Sequence, residues 1–329
     1  MKAFRYAQAA DAAGAVATVA ASPGAVFLGG GTNLVDLMKL GVAAPELLVD
    51  VTHLPLDGIE RLPDGGLRIG AGVRNSDLSA DPAVRDEFPM LAQAVLNGAS
   101  GQLRNMATVG GNLLQRTRCL YFQDTSKPCN KRVPGSGCPA REGEHRNLAI
   151  LGASEACIAT NPSDMAVALM ALDAVVHIEQ PGGGRSLPIA ELYRLPGERP
   201  DRDTNLGHGS LITAVDVPAL GFSRRSGYRK VRDRASYAFA VASVAAAIDV
   251  VDGVVRDVRL ALGAVAPVPW RAHQGERVLR GQPATEDNFR RAADAELADA
   301  RPLRDNGFKV PLLRNVITRT LGDLAGVGR

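Results

Sequence analysis

Apolar positions along the chain change period several times, and each change predicts a change of element. Residues 25–28 form a short unbroken apolar run, as a buried strand does. Residues 33–40 space their apolar side chains for one or two helical turns, and 46–51 read as a strand again, so together they predict a small parallel β-α-β unit. A strand over 67–72 and helical spacing over 89–96 follow. Asn161 or Ser163 can cap a helix over 166–172, after which 174–178 alternates as a strand. The segment 181–209 is rich in Gly, Pro and Arg, and 211–217 reads as a closing strand before Pro218. A boundary is expected near Gly221.

Beyond it, 228–231, 238–250 and 254–265 predict strands, with Asp252-Gly253 as the turn of a hairpin. The tail over 270–321 is mostly helical in pattern. These elements predict two regions, 1–220 and 221–329, the first divided into lobes at about 54/55. The whole is α+β.

Composition narrows the function. A chain of 329 residues with 46% apolar and 22% charged residues can bury substantial cores. No window approaches the roughly 20 apolar residues of a membrane span, and no export signal is expected. A net charge of +3 without a long Lys/Arg run argues against nucleic acid. Aromatic residues are scarce, at 4%, which favours close backbone packing over bulky side chains.

Two glycine-rich places carry the first chemistry. Phe27-Leu28-Gly29-Gly30-Gly31-Thr32-Asn33-Leu34 puts three glycines between a strand and a helix, where backbone N–H groups can surround a pyrophosphate. It lacks the G-x-G-x-x-G of a Rossmann fold and the Gly-Lys-Ser/Thr ending of a P-loop. A tight turn without ligand has the same pattern. In Ala107-Thr108-Val109-Gly110-Gly111-Asn112-Leu113, two glycines are flanked by a hydroxyl and an amide suited to the same phosphates.

Cysteine placement is the second signal. Cys119, Cys129, Cys138 and Cys157 are the only four in the chain, and they fall in a Pro-, Gly- and charge-rich stretch that separates the second glycine motif from Asn161. That stretch, 117–157, reads as an insertion with too little apolar content for its own core, so a staple is expected. Two disulfides, a four-thiolate zinc site and an iron-sulfur cluster all satisfy the count, and none of the C-x2-C spacings typical of zinc or ferredoxin sites is present. Arg116, Arg118, Lys127, Lys131, Arg132 and Arg141 surround the cysteines and would offset a negative cluster. No histidine pair has metal-ligand spacing, and no acid/base pair for substrate chemistry is apparent.

The two glycine motifs, at this separation, resemble the FAD subunit of the xanthine dehydrogenase and carbon monoxide dehydrogenase family, over most of the chain. Asn161-Pro162-Ser163-Asp164 resembles that family's Ser-Pro-x-x-Asp, one residue shorter and with Asn161 in place of Ser. The resemblance implies a two-lobed FAD-binding domain of the vanillyl-alcohol-oxidase type, then an α+β domain with a three-stranded antiparallel sheet and helices. It implies a pyrophosphate held by Leu28, Gly29, Gly30, Gly31, Thr32, Asn33 and Leu34 together with Thr108, Gly110, Gly111 and Asn112. Asp164 would contact ribitol or ribose hydroxyls, and Lys230, in Tyr228-Arg229-Lys230, would lie near the isoalloxazine. The stretch 305–309 departs from the family's Ser-x-Tyr-Arg, and no role is implied for it.

The cysteine stretch is similar to the insertion in the flavin subunit of bacterial periplasmic aldehyde oxidoreductases, which implies a [4Fe-4S] cluster on all four cysteines. Implied partners are a large subunit with the molybdenum cofactor, a small subunit with two [2Fe-2S] clusters, and an external electron acceptor. Location would be periplasmic, by co-export with a signal-bearing partner, or cytoplasmic. A stand-alone flavin oxidoreductase and a zinc-stapled non-catalytic subunit remain the alternatives.

Overall fold

The computed structural model describes residues 1–327. Its first sheet has the expected parallel unit, Ala25–Leu28 and Leu47–Asp50 joined through the Leu34–Lys39 helix. A further parallel strand, Arg5–Gln8, lies on the other side of Leu47–Asp50 and leads into the Ala12–Ala20 helix. That strand is mostly exposed, so it carries no apolar alternation to read. Asp11 caps the helix by accepting from the Gly14 N–H at 2.6 Å.

The second lobe is a five-stranded sheet in the order Ile59–Arg61, Leu67–Gly70, Leu211–Val217, Val175–Glu179, Arg185–Pro188, all antiparallel neighbours. Helices Pro89–Asn97 and Asp164–Ala171 pack within its core. Ser163, not Asn161, caps the second of these, accepting from the Ala166 N–H at 3.0 Å.

The C-terminal sheet has four strands rather than three: Trp270–Arg271, Val254–Gly263, Ala242–Val251, Ser226–Val231. The extra strand is two residues long, too short for a periodic signal. Asp252 and Gly253 both have positive φ, 50° and 76°, which makes the hairpin turn a primed one. Eight of the ten residues of Ala242–Val251 are buried because both faces are covered. Ala245 and Ala247 join the core around Asp164–Ala171, while Val244, Ala246 and Ile248 join a core formed with the C-terminal helices. The two regions of the chain therefore share a packed face. Small side chains at 245–247 let the helix approach the sheet closely.

The cysteine stretch differs from expectation in one physical respect. It does bury apolar surface, because it borrows a partner: Phe122, Ala140, Leu148 and Ile158 pack with Cys119, Cys157 and Leu37 of the first lobe. Ile150 and Leu151 enter the C-terminal core. From the other side, buried Lys309 donates to the carbonyls of Leu148 at 3.0 Å and Ala264 at 2.8 Å.

Candidate flavin cleft and thiol site

The Ala25–Leu28 strand ends in three glycines that do different things. Gly31 takes φ 73°, the left-handed region, to turn the chain into the Leu34–Lys39 helix. At Gly30 a Cβ would lie 1.7 Å from the Met106 carbonyl oxygen, so the second glycine segment is seated directly on the first. The glycine requirement there comes from protein backbone, not from a ligand alone. Gly29 and Gly111 each bring a Cβ position to 3.0 Å from the Thr108 hydroxyl, which accepts from the Gly111 N–H at 3.2 Å. Gly110 packs on Ala71, and its N–H is already committed to the Ala71 carbonyl at 2.9 Å.

In contrast, no N–H of residues 29–33 donates to a backbone carbonyl among the described residues. Consecutive unpaired amides with little side-chain cover form an anion-binding concavity. Gly31, Thr32, Asn33 and Gly111 line both of two adjoining cavities, of about 460 and 420 Å³. The first also meets Asn112, Asp164 and Lys230, and the second meets Leu34, Thr108 and Gly110. Leu28 packs beside Gly31 and lines neither cavity.

Polar atoms in the larger cavity lack partners. Asn33 accepts the Arg116 N–H at 3.0 Å through Oδ1, leaving its buried Nδ2 free among the described residues. Asn75, 4% exposed, has an unpartnered Oδ1. An unpaired buried polar group costs about 1–3 kcal/mol, so both atoms fit a cavity made for a polar ligand. Asn112 is oriented by the Ser163 hydroxyl, 2.6 Å from its Oδ1.

Lys230 is not a solvated strand lysine. Its side chain is 1% exposed, and Nζ lies 2.8 Å from Asp164 Oδ2 and 2.9 Å from the Asn97 carbonyl. Tyr228, two residues earlier on the same strand face, donates to Asp164 Oδ1 at 2.5 Å. Burial and then the Asp164 charge push the Tyr228 phenol well above its ordinary range. The structure thus joins Asp164 and Lys230 into one neutral pair at the cavity wall.

All four cysteines are free thiols, and all four line one small cavity with Tyr121 and Phe122. Burial pushes Cys119 up to about 11 and raises Cys138 and Cys157 as well; Lys131 pulls Cys157 in the opposite direction. Among the described residues no three His, Cys, Asp or Glu side chains are close enough to hold one metal ion. Several of the surrounding cations have protein partners instead: Arg116 and Lys131 share Asp203, Arg118 holds Asp36, and Arg141 holds Glu155.

Residues 2–220 match the FAD binding domain in molybdopterin dehydrogenase, and 226–323 match the CO dehydrogenase flavoprotein C-terminal domain. The chain is 51% identical to the aldehyde oxidoreductase FAD-binding subunit of Escherichia coli K12 over 98% of both chains. It belongs to the FAD-binding subunits of the molybdenum hydroxylases. A more distant member, the glyceraldehyde dehydrogenase medium chain of Sulfolobus acidocaldarius, is 28% identical over 85% of this chain and 82% of its own. Carbon monoxide dehydrogenase from Hydrogenophaga pseudoflava superposes with a TM-score of 0.76 at 25% identity, covering 98% and 96% of the two chains.

Within this family of flavoprotein subunits, the glycine motifs, Asp164 and Lys230 could be picked out from the sequence. Asn75, which also lines the larger cavity, could not. Arg118 stood out only as a cation beside the cysteines, and the structure brings it to this cavity as well. Both placements depend on segments far away in the chain, so no local signal marks them.

Proposed function

We propose that this chain is the flavin-bearing electron relay of a heteromeric molybdenum hydroxylase. Electrons enter from [2Fe-2S] clusters of a small partner subunit, after substrate oxidation on a molybdenum-bearing large subunit, and leave to an external acceptor. FAD, when bound, supplies the ability to take electrons singly and return them singly or in pairs. The chain's own residues bind and orient it. The amides of 29–33 face the pyrophosphate, with Thr108, Gly111 and Asn112 closing over it, and Leu28 and Leu34 set the ends of the loop. Gly110 contributes by seating the second segment on Ala71. Asp164 is fixed by Lys230 and Tyr228, so its carboxylate is held in one position beside the sugar or ribityl hydroxyls.

The observation that carries this reading is the row of five amides at 29–33 that, among the described residues, donate to no backbone carbonyl, in a chain of this family. Four free thiols lining one cavity support a [4Fe-4S] cluster on Cys119, Cys129, Cys138 and Cys157. Among the described residues no helix is long and apolar enough to cross a membrane. Export together with a signal-bearing partner is the location we favour.

The test is flavin bleaching followed at rapid mixing. In the assembled complex an aldehyde should bleach the flavin, while the same aldehyde should leave the flavin of this subunit alone oxidised. Bleaching of the isolated subunit by the aldehyde would establish the stand-alone oxidoreductase instead.

A further inference from the structure

The thiol cavity and the flavin cradle are separate sites, yet one short helix serves both. Leu34–Lys39 follows the cradle directly and is six residues long. Helices shorter than about 12 residues are marginal on their own, so its position depends on what holds it. Asn33 makes no side-chain cap for it.

Three contacts tie it to the cysteine stretch and the residue just before it. The Arg116 N–H donates to Asn33 Oδ1 at 3.0 Å. Arg118 Nη1 donates to Asp36 Oδ2 at 2.6 Å. Leu37 packs into the cluster that contains Cys119 and Cys157. Arg118 also lies over the Phe239 ring, 5.0 Å from its centre, and both side chains line the larger cavity. A residue bonded through the backbone to Cys119 thus reaches the helix that follows the cradle and an aromatic wall of the cleft.

We infer that occupancy of the thiol site and binding of FAD are coupled, with Arg118 as the positioning residue between them. The inference rests on the reading that the four cysteines bind metal. With metal bound, the thiolate bond at Cys119 fixes the backbone at 118–119. The Arg118–Asp36 pair and the Leu37 contact then fix the helix and the 29–33 amides. Without metal, Cys119 is held by packing alone, and the cradle loses an anchor. Coupling of this kind is reciprocal: FAD must tighten the metal by the factor that metal tightens FAD.

The test uses the full chain in wild-type, Arg118→Gln and Asp36→Asn forms. FAD affinity is measured by flavin fluorescence quenching, before and after iron is removed by a chelator. In the wild type, removal should weaken FAD by about tenfold, within the usual range for coupled sites. In both variants the loss should shrink to less than about threefold. Conversely, FAD should slow chelation of iron in the wild type and not in the variants, an effect that a purely structural role for Arg118 does not produce. Equal FAD affinity with and without iron in the wild type overturns the coupling while leaving the cluster in place. Full coupling in both variants removes Arg118 from it. A wild-type chain that binds no metal at the cysteines overturns the underlying reading, and the coupling with it.

Discussion

Replacing Gly30 by Ala should damage the flavin site more than any other single glycine change in the cradle. The new Cβ would lie 1.7 Å from the Met106 oxygen, 2.6 Å from its carbonyl carbon and 3.1 Å from Ala107 Cα. A tolerable C···O approach is about 3.3 Å, so backbone must shift by roughly 1.6 Å. No rotamer relieves this, because the obstructing atoms belong to main chain that Arg74 also holds, at 2.5 Å. Overpacking of this kind costs about 1–3 kcal/mol, and a backbone clash belongs at the upper end. Expressed in binding, about 3 kcal/mol is more than a hundredfold in FAD affinity; expressed in stability, it is roughly 6–12 °C in Tm. Gly31→Ala meets Val35 Cγ2 at 3.2 Å and Leu28 Cδ1 at 3.7 Å, and its cost is mainly that of φ 73°, about 1–2 kcal/mol. Gly41→Ala, at φ 75° with nothing within 4 Å, is the strain control and should not affect FAD. Fluorescence titration with FAD and thermal melts of the three variants decide the order. A Gly30→Ala chain with wild-type affinity and Tm would refute the claim that the two glycine segments bear on each other at this point.

Lys230→Met should leave Asp164 as a buried charge held only by Tyr228, a loss of about 3–5 kcal/mol; adding Asp164→Asn should restore part of it, and denaturant midpoints measure both. The same Lys230→Met should lower the flavin midpoint potential, since the remaining Asp164 charge opposes electron gain; an unchanged potential would place the pair away from the ring. Asn75→Leu should weaken FAD by up to about tenfold while leaving ligand-free stability equal or higher, because it removes an unpartnered oxygen; lower ligand-free stability would argue against the assignment. Burial, aided by Arg146, lowers the Lys309 ammonium to about 7 from an ordinary 10.5. Between those values the unfolded chain binds more protons, so stability should rise with pH from about 7 upward, by about 1 kcal/mol to pH 8. Below about pH 7 the penalty is fully in place. Lys309→Met should flatten that rise in urea midpoints taken at pH 7, 8 and 9, and an equal slope in both proteins would assign it elsewhere.

Much of the cleft could be read from local pattern, because its parts are local. The glycine triplet, the Ser163 cap and the Asp252-Gly253 turn each need particular residue types at adjacent positions. The edge strand Arg5–Gln8 was missed because an exposed edge imposes no alternation. The cysteine stretch looked coreless because half of its core, Leu37 and the Ile150 and Leu151 contacts, lies in other segments. For the same reason, the sequence does not mark Asn75, the reach of Arg118 into the cleft, or the pairing of Lys230 with Asp164. A charge counted along a sequence says nothing of the carboxylate that the fold sets 2.8 Å away.

The most direct measurement of the account is the cofactor content of the purified chain: noncovalent FAD and protein-bound iron, quantified together on one sample. The account predicts about one FAD and about four irons per chain, the iron held by four thiolates. Flavin with one zinc and no iron would contradict the cluster. A chain without flavin would contradict the relay itself.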